Sequence, residues 1–88
     1  MAYYLRTQKG VKSMEHKRKI RLTPADVHEF VTSAEKCDFD IDVFYNRFTV
    51  DAKSILGVFS LDLNRTLTVQ YAGIDPHFEA TLNKFCVA

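Results

Sequence analysis

Asp51-Ala52-Lys53-Ser54-Ile55-Leu56-Gly57-Val58-Phe59-Ser60-Leu61 is the stretch on which the fold turns. Asp51 and Ala52 end a run in which polar and apolar residues alternate, the period of a strand. Ser54 stands where a helix start needs a side-chain oxygen to accept an otherwise unpaired backbone N–H. The residues after it are too apolar for a loop, so a short helix beginning at Ser54 is predicted. Gly57 either weakens its interior or lets another element pack closely. Ile55, Leu56, Val58, Phe59 and Leu61 cannot all face inward over one to two turns. Some of Ile55, Leu56 and Phe59 are therefore expected at the surface, where an apolar cluster beside a serine makes a docking site. The alternative is that they finish the core.

Working upstream, Phe48, Val50 and Ala52 alternate with Arg47, Thr49 and Asp51, and Phe39, Ile41 and Val43 alternate with Asp38, Asp40 and Asp42. Two strands joined by a turn near Tyr45-Asn46 follow, because Asn tolerates a left-handed backbone. The acidic row does not predict a metal site, since alternate positions along one strand seldom converge on one ion. Before it, Thr23-Pro24-Ala25-Asp26 reads as an N-cap, a proline at the first helical position and an acid near the positive end of the helix dipole. Val27, Phe30, Val31 and Ala34 then recur at helical spacing, with Asp26, Glu29, Thr32 and Ser33 on the polar side, giving a helix from Pro24 to Lys36. From Glu15, Lys17, Lys19 and Arg21 alternate with Arg18, Ile20 and Leu22, and only the last two clearly face a core. An edge strand fits.

Downstream, Asp62 to Arg65 supplies a turn, and Leu67, Val69 and Tyr71 alternate with Thr66, Thr68 and Gln70 as a fourth strand. Gly73 to Pro76 breaks it. Phe78, Leu82 and Phe85 mark a last helix from Pro76 to Cys86. The resulting order, βαββαβα, implies an α+β open-faced sandwich: a four-stranded, mainly antiparallel sheet with three helices on one face.

The 88 residues suffice for one core, and 47% hydrophobic with 26% charged residues is the balance of a soluble globular domain. No apolar run is long enough to span a membrane, and MAYYLRTQKG lacks the form of a secretory signal, so a cytoplasmic location is expected. Cys37 and Cys86 lie far apart without metal spacing, and each is read as a small packed side chain. Residues 1–14 are read as a leader outside a domain spanning 15–88. Charge is unevenly spread: residues 1–21 hold seven basic residues against Glu15, while residues 22–88 hold five basic against ten acidic. No Gly-rich phosphate loop or nucleophile–base pair is evident, so neither enzymatic activity nor a cofactor is expected.

The 51–61 stretch resembles the A-K-S-[IL]-[ML]-G-[VI]-x-S-L segment of HPr, the histidine-containing phosphocarrier of bacterial sugar phosphotransfer. The order of elements around it is similar, so the resemblance covers about residues 15–88. It implies two phosphate sites. One is a histidine in an H-x-R-P loop between the first strand and first helix. Counting back from Pro24, Thr23 stands at the arginine and Arg21 at the histidine, and the loop looks shortened. Ordinary carrier chemistry is thus not expected. His16, His28 and His77 are read as surface residues.

The second implied site is the regulatory serine, which Ser54 matches. A phosphate at a helix start meets free N–H groups, though Ser54 also serves simply as an N-cap. The resemblance further implies protein partners (phosphotransfer enzymes, HPr kinase, a catabolite-control repressor) that meet Ile55, Leu56 and Phe59. A regulatory or binding module without carrier chemistry is the leading expectation, similar to the HPr paralogue that also lacks the histidine. A carrier with an unorthodox acceptor is the alternative. Nucleic-acid binding by the basic segment 6–21 ranks third, since it has no stacking platform beyond Tyr3 and Tyr4. The sequence leaves the oligomeric state open.

Overall fold

The computed structural model describes residues 16–87, so the segment 1–14 lies outside the described residues. The chain runs β1 (His16–Ile20), α1 (Pro24–Glu35), β2 (Ile41–Tyr45), β3 (Phe48–Asp51), α2 (Ile55–Phe59), β4 (Leu67–Tyr71) and α3 (Pro76–Phe85). The strands form one sheet in the order β1-β4-β2-β3. Every neighbouring pair is antiparallel, with Lys17 opposite Gln70, Asp42 opposite Gln70 and Asp42 opposite Asp51. Residues 85–87 continue the hydrogen bonding along the outer edge of β1: Arg21 N donates to Phe85 O at 3.0 Å and Val87 N to Lys19 O at 2.9 Å.

Alternation fixes which side of each strand meets the helices. Ile20, Ile41, Val43, Leu67, Val69 and Tyr71 are buried, and Val27, Phe30, Val31, Ala34, Val58, Phe78 and Leu82 of the helices cover them. Each such side chain contributes roughly 1.5–3 kcal/mol on burial. Helix α1 lies between α2 and α3, touching both. That placement widens its buried arc beyond one stripe. Ser33, assigned to the polar side from its spacing, is in fact buried at the crossing with α3, where its hydroxyl donates to Thr81 Oγ1 at 3.0 Å.

The β2–β3 hairpin closes through Asn46 at φ 51°, the left-handed conformation that Asn tolerates. Several boundaries differ from the sequence reading. Residues 38–40 form a bend, and β2 begins only at Ile41. Phe39 leaves the alternating row to pack on Tyr71, with ring centroids 6.3 Å apart. Phe48 shares a row with Val50 but opens an edge strand, so it stays 56% exposed and rests on Tyr45. Cys37 is buried as expected, whereas Cys86 is exposed because it falls beyond the last turn of α3 in the segment flanking β1. His16 is half-buried against Tyr71 (centroids 5.3 Å apart) rather than fully solvated.

Gly73 lets the chain leave β4 beneath Phe39: a Cβ there would lie 2.5 Å from the ring. Gly73→Ala is expected to destabilise the fold by about 1–3 kcal/mol through overpacking, read as a lower midpoint in urea unfolding. Restored stability in a Gly73→Ala, Phe39→Leu double variant would tie the loss to that ring.

Tyr71 is buried, and its hydroxyl donates to Glu79 Oε2 at 2.7 Å, while Arg18 Nη1 pairs with Glu79 Oε1 at 3.0 Å. Burial first, then the Glu79 carboxylate, push the Tyr71 phenol up to about 12 from 10.0. The folded state therefore holds this proton more tightly than the unfolded chain. Its contribution is full below about pH 10 and falls by up to roughly 3 kcal/mol as pH rises toward 12. Absorbance titration near 295 nm should show a late-titrating tyrosine that Tyr71→Phe removes, and the variant's unfolding free energy should vary less with pH across that window.

Candidate functional site

Two places match the positions expected from sequence: the β1–α1 junction and the start of α2. At the junction only Arg21, Leu22 and Thr23 separate the strand from the helix. Leu22 is 3% exposed, so the middle of this connection is anchored in the core. Thr23 caps α1 in an extended conformation (φ −92°, ψ 164°), followed by Pro24 in the first turn. The Asp26 carboxylate folds back onto it: Oδ2 accepts from both the Thr23 backbone N–H and the Thr23 hydroxyl, each at 2.9 Å. This is the reciprocal half of a capping box.

The helix start that would cradle a phosphate is thus occupied by the helix's own carboxylate. An incoming dianion there would meet the negative charge of Asp26 in place of donors. No imidazole belongs to the connection. His28 sits a full turn into α1 and His77 at the start of α3, both exposed. What remains is a shallow depression of about 450 Å³ lined by Arg21, Leu22, Thr23, Pro24, Leu63 and Asn64.

At α2, Ser54 is exposed and holds the cap position (φ −106°, ψ 110°). Its Oγ accepts from Gly57 N at 3.1 Å. No acidic side chain occupies the first turn. The lysine of the same motif points the other way: Lys53 Nζ donates to Cys37 O at 2.8 Å, tying the α2 approach to the end of α1. A Cβ on Gly57 would crowd the cap, 3.2 Å from Ser54 Oγ and 3.3 Å from Ser54 Cβ, while its 3.4 Å approach to Val50 Cβ on β3 would be an ordinary contact. Val58 and Leu61 turn inward, while Ile55, Leu56 and Phe59 are 37%, 79% and 46% exposed. Serine and apolar face are therefore contiguous on one short helix.

Two neighbours of this face were not singled out in the sequence. Phe48 lines an open groove of about 210 Å³ with Arg47, Val50, Ser60 and Leu61, beside the end of α2. Lys53 reads as a motif residue, but its contact with α1 depends on a pairing of distant segments that no local spacing announces. Among the described residues no three His, Cys, Asp or Glu side chains are placed to hold one metal ion. No helix among them is long and apolar enough to cross a membrane.

No family model matches the chain. No curated protein matches it either. Among solved structures it is similar to the phosphocarrier protein HPr from Bacillus anthracis str. Ames, with a TM-score of 0.63 and 24% identity over 80% of this chain and 95% of that one. The chain has the HPr fold, a four-stranded antiparallel sheet covered on one face by three helices in the order βαββαβα.

Proposed function

We propose that this chain is an HPr-related regulatory or binding module of the bacterial sugar phosphotransferase system, working in the cytoplasm without histidine phosphocarrier activity and without enzymatic activity of its own. The observation that carries the proposal is the β1–α1 junction. Arg21 stands where the family places its phosphate acceptor, and the Asp26 carboxylate takes up the donors of Thr23 at 2.9 Å. Neither a nucleophilic imidazole nor an open cradle for its phosphate is left there.

The second part of the proposal is that Ser54 is the modified residue and that Ile55, Leu56 and Phe59 meet the protein partner. Ser54 is exposed, so a kinase can reach it, and the first turn of α2 carries no acid to repel an added phosphate. Two charges placed beside an exposed apolar face alter which partners that face accepts. Phosphotransfer enzymes, an HPr kinase or a transcriptional regulator are the partner classes that the family resemblance implies.

Incubation with an HPr kinase and ATP tests this directly. The expected result is one added phosphate by intact mass, absent in Ser54→Ala, which should itself cost only about 1 kcal/mol of stability through the lost cap. An unmodified wild-type chain, or a Ser54→Ala variant that still accepts phosphate, would remove the Ser54 switch. In parallel, phosphoenolpyruvate with the general phosphotransfer enzyme should leave no acid-labile phosphate on the chain. Labelling of His28 or His77 would instead favour a carrier with an unorthodox acceptor.

A further inference from the structure

The two outer edges of the sheet are finished differently. Beyond β1, residues 85–87 continue the hydrogen bonding, whereas β3 comes last in the order β1-β4-β2-β3 and, among the described residues, no strand pairs with its far side. Edge strands are commonly guarded by lysine, proline or a bulge. Phe48-Thr49-Val50-Asp51 has neither lysine nor proline, and Phe48 at its head is exposed. The groove of about 210 Å³ lies along this edge, lined by Arg47 to Val50 in succession with Ser60 and Leu61.

The backbone of β3 is phased for a further strand. Ala52 N donates inward to Ile41 O at 2.9 Å, and main-chain groups alternate in direction along an antiparallel strand. Val50 and Phe48 thus turn theirs toward β2, and the N–H and C=O of Thr49 point away from the sheet. Side chains alternate between the faces in the same rhythm. Phe48 and Val50 share the helix side, while Thr49, Asp51 and, just before the strand, Arg47 share the uncovered side.

We propose that this edge binds a second copy of the chain, β3 lying antiparallel to its symmetry mate so that the two four-stranded sheets join edge to edge. Residues opposite one another in an antiparallel pair share a face, so the two-fold axis passes through a residue. Centred on Thr49, it joins the two Thr49 residues through their outward main-chain groups. It also sets Phe48 against Val50 of the partner subunit and Arg47 against Asp51 of the partner subunit, each contact occurring twice. Asp51 stands opposite Asp42 of β2, so the arriving guanidinium meets an acidic row. Centred on Val50 instead, Arg47 would face Lys53 of the partner subunit, like charge against like. Charge complementarity selects the first register. So short an edge buries little surface, and the expected Kd is on the order of 0.1–1 mM.

Amide spectra and sedimentation of the full chain over a dilution series test the pairing, under reducing conditions so that the exposed Cys86 does not cross-link chains. Shifts should follow one monomer–dimer isotherm and centre on residues 47–51. In a mixture of labelled and unlabelled chains, an isotope-filtered NOE should join the Phe48 ring to the Val50 methyls. Thr49→Pro removes the outward N–H, a change an edge strand tolerates, and should leave the chain monomeric with the rest of its spectrum in place. Arg47→Asp sets like charges opposite each other at both symmetric positions and should weaken association on the order of tenfold. A chain that stays monomeric at about 1 mM, dilution shifts centred on α2 or on β1, or an Arg47→Asp variant that associates as tightly as the wild type would each overturn the proposal. Because Arg47 is exposed, that variant decides the matter even where Thr49→Pro fails to fold. Failure here leaves the Ser54 proposal untouched, because the kinase assay reads phosphate on the single chain.

Discussion

Strand β4 is the constraint on which the rest of the molecule depends. It is hydrogen-bonded on both edges, to β1 and to β2, and its inward side chains Leu67, Val69 and Tyr71 are almost wholly buried. A slip of one residue would turn all three outward and bring Thr68 and Gln70 onto the helices. With its register fixed, the flanking strands have one arrangement each, and the helices have one face to cover. Tyr71 is both apolar filler and polar anchor. Its ring packs edge-on against Phe78, and its hydroxyl reaches Glu79, which Arg18 of β1 also holds.

Local signals carried most of this arrangement. Thr23-Pro24 and Asp26 mark the start of α1, Asn46 marks the hairpin, and period-two runs mark β3 and β4, because each depends on residues a few positions apart. Non-local packing decided the rest. Asp38 to Asp40 alternate as a strand would, yet they bend, since Phe39 is drawn onto Tyr71 and Gly73. Ser33 looks like a surface residue until α3 crosses it. Cys86 looks like a core residue until its segment is seen running along β1. In every such case the partner lies dozens of residues away, where spacing alone carries no information.

The same division applies to the candidate surfaces. Ser54 and the crowding of apolar residues after it are legible because a helix of five residues cannot bury them all. The closure of the α1 start is only half legible. Asp26 is readable as a capping acid, but that its Oδ2 takes both donors of Thr23 is a matter of geometry. The groove between α1 and α3 has no sequence signature at all, for it is made by the packing of α3 on α1.

The pairing of residues 85–87 with β1 bears on how the chain reaches its fold. Strand β1 comes early in the sequence, but both of its neighbours, β4 and the 85–87 segment, come late. During synthesis it has nothing to pair with until almost all of the domain has left the ribosome. The β2–β3 hairpin and the contact of α1 with α2 can organise first, whereas closing β1 demands the longest loops in the molecule. A charged, mostly exposed strand such as Lys17 to Lys19 tolerates that wait in water. An apolar one would invite association with other chains. The basic residues of β1 thus suit a strand whose partners come late in the chain.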